Sequence, residues 1–172
     1  MGIFADVKIY ESDDTGQIGR LRYAFSESRF GEVLTACDNL GLCFAGFVCG
    51  GGRDDALADM KARFPAARFE EDASAVVDVF GVVGALHIAG TPFRRRVWRT
   101  LLEVRRGERL SYSQLAAAAG VPRAVRAVAS AVAANPISVA IPCHRVVRND
   151  GTIGNYHWGA GLKRLLLEAE AH

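Results

Sequence analysis

The apolar positions of this chain change their spacing near residue 90. Before it, residues 21–25, 33–36 and 42–48 are short apolar runs that predict strands, with turns at 28–31 and at Asp38-Asn39-Leu40-Gly41. Gly50-Gly51-Gly52 interrupts the chain, and with no Gly-Lys-Ser/Thr behind it this is not a phosphate loop. Leu57, Met60 and Phe64 then recur at a helical step, predicting a helix over 54–64 that Pro65 stops. The apolar run 75–83 is too short for its period to separate helix from strand. A helix is expected there, followed by a strand at 86–88. Residues 1–19 carry Ser12, Asp13, Asp14, Gly16 and Gly19 with little periodicity, and a mobile lead-in is expected.

Gly90-Thr91-Pro92 marks a junction between domains at 20–89 and 90–172. Thr91 caps and Pro92 opens a helix to about residue 104, with Phe93, Val97, Leu101 and Val104 on its inner face. Ser111 or Ser113 caps a second helix that runs through 119 to Gly120. A third starts at Pro122, runs to about 134 and stops at Asn135-Pro136. Two short helices around residues 120–122 make a helix-turn-helix. Both are rich in alanine, which permits close approach of a neighbouring helix or nucleic-acid backbone, or simply favours helix. A last helix covers 162–168. The expected fold is α/β: a small N-terminal three-stranded sheet with a helix, then a helical C-terminal domain.

Composition narrows the picture. The chain has 172 residues, 50% hydrophobic and 23% charged, which allows a core and excludes global disorder. A net charge of +2 does not mark a nucleic-acid binder, but its distribution is uneven. Arg94, Arg95, Arg96, Arg99, Arg105, Arg106 and Arg109 crowd together, Arg123, Arg126, Arg145, Arg148, Lys163 and Arg164 follow, and most acidic residues precede the junction. A basic C-terminal half suits phosphate contact, while a solvated helix face is the better account of any single arginine run. No apolar run reaches spanning length, and Asp6, Glu11, Asp13 and Asp14 break any signal-like stretch. A cytosolic protein with reduced cysteines is expected. Cys37, Cys43 and Cys49 form no Cys-x-x-Cys pair, so buried free thiols are expected rather than a metal site.

The chemistry centres on Pro142-Cys143-His144-Arg145-Val146-Val147. Proline fixes the backbone before the thiol, histidine supplies a base that titrates near neutrality, and arginine adds charge that favours thiolate. Together they describe an activated sulfur nucleophile. Neighbours in extended chain point to opposite sides, so a direct Cys143–His144 hydrogen bond requires a turn; Pro142 allows one, and a bridging water closes the remaining gap.

This stretch, with Asn135-Pro136, Gly154-Asn155-Tyr156, Ser111-Tyr112-Ser113-Gln114-Leu115-Ala116 and Arg123-Ala124-Val125-Arg126-Ala127-Val128, resembles the O6-alkylguanine-DNA alkyltransferases. The likeness is strong from residue 92 to 170 and weaker from 20 to 89. It is nearest to the C-terminal half of bacterial Ada proteins, through the run 146–152 and His157-Trp158-Gly159. The resemblance implies a ribonuclease H-like N-terminal module and stoichiometric, irreversible transfer of the alkyl group from O6-alkylguanine to Cys143, without a cofactor. It implies a Glu170–His144–water–Cys143 relay, with Glu168 two residues away as the competing carboxylate. Tyr112 is then the hydroxyl donor to guanine N3, and Arg126 fills the space of the rotated nucleotide, with Arg123, Ser113 and Ala127 beside it on the DNA. Asn135 braces the turn before the Cys143 loop. Val146, Tyr156, His157 and Trp158 shape the pocket, and Trp158, where relatives have a small residue, restricts bulky alkyl groups. Some relatives hold a structural zinc in the N-terminal domain; Cys37, Cys43 and His87 are the candidates here, at a spacing that fits no standard zinc signature. The expected partner is double-stranded DNA carrying O6-alkylguanine, met by a monomer without a membrane.

Two other readings stand beside this one. A non-catalytic lesion-binding relative would lack the cysteine that is present here. An Ada-type transcriptional regulator would carry a further metal-binding domain that this sequence does not contain. A cysteine hydrolase is disfavoured because no oxyanion motif is evident.

Overall fold

The structure is a computed structural model that describes residues 7–171. Its strands and helices are β1 (Lys8–Ser12), β2 (Arg20–Ser28), β3 (Gly31–Cys37), β4 (Leu42–Phe47), α1 (Gly52–Arg63), β5 (Arg68–Glu71), β6 (Ala85–Ala89), α2 (Pro92–Leu102), β7 (Leu110–Ser111), α3 (Tyr112–Ala118), α4 (Val125–Ala133), β8 (Val146–Val147) and α5 (Ala160–Glu170). They divide into two compact units. Of the described residues, one comprises 7–91 with Pro136–Ala140, the other Pro92–Asn135 with 141–171.

The first unit holds a six-stranded sheet in the order β1-β6-β4-β3-β2-β5. The β2/β3 and β3/β4 pairs are antiparallel hairpins, as the alternating runs and their turns predict. The sheet is twice as wide as expected because β5, β6 and β1 add to it in parallel. Phe44, Leu34, Leu21 and Ala36 on the sheet, Met60 from α1 and Phe64 just past its end form a closed core with Ile18 and Cys43. The segment 136–140 joins this unit through Ala45, whose N–H donates to Pro136 O at 2.9 Å and whose carbonyl accepts from Ser138 N.

Two expectations fail here. Residues 8–12 are not a mobile lead-in but the edge strand β1, paired with β6 from Lys8–Ala85 to Ser12–Ala89. The strand is mostly exposed and lacks an apolar stripe, so its backbone pairing leaves little trace in the sequence. Ile18 is a core residue at 2% exposure; residues 1–6 of the proposed lead-in lie outside the described residues. The run 75–83 is not a helix. A 3-10 turn at Ala73–Ala75 leads into irregular chain, where Asp78 accepts from the N–H of Phe80 at 3.0 Å. That side chain offers the backbone a turn in place of a helix, and Gly81 follows.

In the second unit, α2 buries Val97, Trp98 and Leu101. The Trp98 indole N–H donates to Ala131 O at 2.7 Å, fastening α2 to α4. Ala116 and Ala131, both fully buried, let the helices approach. Ser111 is the cap of α3 and forms a full capping box: its hydroxyl accepts from Gln114 N at 3.1 Å, and Gln114 Oε1 accepts from Ser111 N at 2.8 Å. Ser113 instead receives a hydrogen bond from Asn149. The helix expected from Pro122 begins at Val125, because Pro122–Ala124 close a turn with Ala124 N donating to Val121 O. The last helix is longer than expected and reaches Glu170. Among the described residues no helix is long and apolar enough to cross a membrane.

Candidate active site

Asn135 lies just past the end of α4, and its side-chain amide donates to Ile141 O at 2.9 Å across the intervening chain. Asn135 is 2% exposed, so this bond sets the approach of the next segment from inside the protein. Pro142 precedes a single 3-10 turn at Cys143–Arg145, and β8 follows at once, paired with β7. The tight turn separates three adjacent side chains and sends them to different places.

Cys143 faces a pocket of about 270 Å³ lined by Tyr112, Val132, Ala133, Asn135, Asn155, Tyr156, His157, Trp158 and Lys163. His144 points away into the protein. Its Nε2 lies 2.8 Å from Glu170 Oε1, and its Nδ1 is buried and has no hydrogen-bond partner among the described residues. Arg145 reaches the same carboxylate: Nε donates to Glu170 Oε2 at 3.0 Å and a terminal nitrogen to Oε1 at 2.8 Å, while the other terminal nitrogen donates to Val104 O at 2.6 Å. Glu170 is therefore fixed by a two-pronged guanidinium and an imidazole together. Arg106 adds a bond to Ala169 O, tying down the last turn of α5. Glu168, by contrast, is exposed.

These contacts set the charge states. Burial works against the Glu170 anion, but hydrogen bonds and charge from His144 and Arg145 prevail and hold its carboxyl at about 2. Burial dominates at His144 and lowers its basicity despite the Glu170 bond, so the imidazole is neutral near pH 7. With Nε2–H donated to the carboxylate, Nδ1 carries the lone pair. Burial also raises the Cys143 thiol above its ordinary value, opposed by hydrogen bonding from Asn135, by the charge of Lys163 and by Tyr156. The resting group is thus a thiol rather than the thiolate that the neighbouring arginine led us to expect. Arg145 spends its charge on Glu170, and the cation beside the sulfur is Lys163.

Lys163 is the residue the sequence reading missed. It is 1% exposed, donates to Val146 O at 2.6 Å and lies 3.4 Å from Asn155 O. Burial lowers its amine to about 8, with Cys143 acting the other way. Its apparent membership of the basic surface hid it; its place one turn into α5 behind Gly159 was the available signal. Val146, buried, contributes its carbonyl to this lysine rather than a side chain to the pocket.

Tyr112, first residue of α3, is half-buried on the pocket, and burial followed by the Cys143 charge raises its hydroxyl, keeping it protonated. Tyr156, His157 and Trp158 form one wall: Trp158 packs edge-on against Tyr156 at 5.4 Å and against His157 at 4.8 Å between ring centroids. Gly154 turns the chain into this wall with φ +75°, and a side chain there would meet Arg148 at 3.4 Å. Arg123, Arg126 and Ala127 are exposed around the start of α4 and do not line this pocket, and Ser113 lies at the first turn of α3.

A family model described as 6-O-methylguanine DNA methyltransferase, DNA binding domain, matches residues 92–172. The regulatory protein ada of Salmonella typhimurium is 43% identical over 164 residues, covering 88% of this chain and 46% of that protein. The bifunctional transcriptional activator/DNA repair enzyme Ada of Escherichia coli is 40% identical with the same coverage, so the chain spans about half the length of these relatives. A methylated-DNA–protein-cysteine methyltransferase of Methanosarcina barkeri is 36% identical over 153 residues, 86% of this chain and 96% of that protein. The crystal structure of Mycobacterium tuberculosis OGT in complex with DNA superposes with a TM-score of 0.67 at 29% identity, over 88% of this chain and 92% of that one. The chain belongs to the methylated-DNA–protein-cysteine methyltransferase family.

Proposed function

We propose that the protein repairs O6-alkylguanine in DNA by moving the alkyl group once, irreversibly, onto Cys143. The observation that carries this reading is a buried thiol on a pocket, followed in the same turn by a neutral imidazole whose Nε2 is bound to a fixed carboxylate. In this reading the thiol proton passes through one water to His144 Nδ1, and Glu170 steadies the imidazolium that results. The sulfur attacks the alkyl carbon, a C–S bond forms, and the C–O bond breaks with its electron pair going to guanine. Tyr112 supplies the hydroxyl that meets the charge developing on the base, and Lys163 steadies the thiolate before attack. The product is a thioether, which nothing in the site can cleave, so one protein repairs one base.

The finer architecture supports DNA as partner. We read α3, the turn at 120–124 and α4 as a helix-turn-helix, and the first unit as a ribonuclease H-like module. Arg123, Arg126, Ala127 and Ser113 stand where DNA is met, and the small side chains of α4 offer few base-edge readers, which favours sequence-independent binding through the minor groove. The target atom sits inside the duplex and must be rotated out, with Arg126 filling the gap. A monomer acting in the cytosol is sufficient for this chemistry. The test is a titration of duplex containing O6-methylguanine with limiting protein. Repaired bases should equal protein molecules and then stop; continued turnover would refute the reading.

A further inference from the structure

On the repair reading, we propose that Arg148 clamps a phosphate: its guanidinium pairs with the backbone phosphate of the nucleotide whose base enters the Cys143 pocket. Arg148 follows β8 directly and opens a turn over 148–152. The turn is closed by Arg148 N donating to Thr152 O and Gly151 N donating to Arg148 O, both at 2.9 Å. Asn149 donates from Nδ2 to Ser113 Oγ at 2.9 Å, which fastens the turn to the start of α3, beside Tyr112.

The side chain has a seat. A Cβ built at Gly154 would lie 3.4 Å from Arg148 Cγ and Nε and 3.8 Å from Cδ, so the stem lies against a residue without a side chain. With φ +75°, the same glycine turns the chain into the pocket wall and leaves room for the arginine. Arg148 is exposed and is not part of the pocket lining, so its charge stands at the rim. Two lining residues, Tyr112 and Lys163, feel it. Burial is the leading influence on both, the Cys143 charge comes second, and the Arg148 guanidinium lowers the proton affinity of each.

A base rotated into the pocket brings its own phosphate to this rim. A guanidinium meets phosphate oxygens with two parallel N–H donors. Among the described residues no hydrogen bond or ion pair engages the Arg148 side chain, whereas Arg145 is spent on Glu170 and Val104. Asp150, in the same turn, keeps Oδ1 on Thr152, accepting from its N–H at 2.9 Å and its hydroxyl at 2.7 Å. The phosphate reaches the rim only when its base is turned into the pocket. The contact therefore favours the opened lesion over intact duplex.

The test is binding of the Cys143→Ser protein, which holds the lesion complex unreacted, to duplex containing O6-methylguanine. Adding Arg148→Ala should weaken that binding roughly tenfold and lower the log–log salt slope by about 0.9. Binding to undamaged duplex should not change, and Arg148→Lys should restore the salt slope. A neutral methylphosphonate in place of the lesion nucleotide's phosphate should weaken binding by a similar factor, with no further loss once Arg148→Ala is present. With Cys143 intact, Arg148→Ala should react with free O6-methylguanine base at the wild-type rate. Additive losses from Arg148→Ala and the methylphosphonate overturn the proposal, as does equal weakening on undamaged duplex or a slowed free-base reaction. A wild-type protein that binds the lesion but transfers no methyl group would count against the repair reading alone.

Discussion

One carboxylate serves two neighbours of Cys143, and the site's chemistry depends on how that carboxylate is held. Replacing Glu170 with Gln removes a charge-assisted bond to His144 worth about 1.5–3 kcal/mol, which corresponds to roughly ten- to hundredfold slower methyl transfer if it acts only in the transition state. DNA affinity should stay nearly intact; an unchanged single-turnover rate would remove Glu170 from the relay. The same residue shapes the acid stability. Its folded value of about 2 lies below the ordinary 4.5, so the stability it contributes is complete above 4.5 and is lost as pH falls through about 2. Urea titrations between those limits should show a steeper loss for wild type than for Glu170→Gln. Because burial lowers His144, the acid limb of the single-turnover rate should have its midpoint below 6.5. A midpoint at or above 6.5 would mean that His144 is not the base.

At the scale of elements, in the proposed reaction the wall from Gly154 to Gly159 governs substrate size and helix α4 meets DNA. Trp158, braced by Tyr156 and His157, takes up space beside Cys143. O6-benzylguanine should inactivate the protein poorly and Trp158→Gly should improve it; equal reactivity of wild type with the benzyl base and methylated DNA would remove Trp158 from the pocket wall. On α4, exposed Arg126 should matter only where a nucleotide has to be rotated. Arg126→Ala should slow repair of saturating duplex sharply and leave reaction with free O6-methylguanine almost unchanged. A plain phosphate contact would instead lower the salt dependence by about 0.9 in the log–log slope and leave the saturated rate near normal. Helices were legible where an apolar stripe met a cap, as in α2 with Pro92 and α3 with its Ser111 box. Edge strand β1 was not, since backbone pairing without burial leaves no pattern.

Across the whole molecule, local motifs disclosed more than global architecture. Cys143, His144 and Asn135 could be singled out because their neighbours are unusual, and Asn135, just past α4, is hydrogen-bonded to Ile141 on the approach to the turn that carries Cys143 and His144. What the sequence concealed depends on chain segments meeting from a distance: Arg145 turning to Glu170 rather than to the sulfur, Lys163 buried under the pocket, and β6 bringing His87 to Asp38. The central claim, that Cys143 accepts the alkyl group, is tested most directly by peptide mass spectrometry after incubation with duplex containing O6-methylguanine. The account predicts one methyl group per protein, on the peptide bearing Cys143. A methyl on Cys37, Cys43 or Cys49, or an unmodified protein after repair, would contradict it.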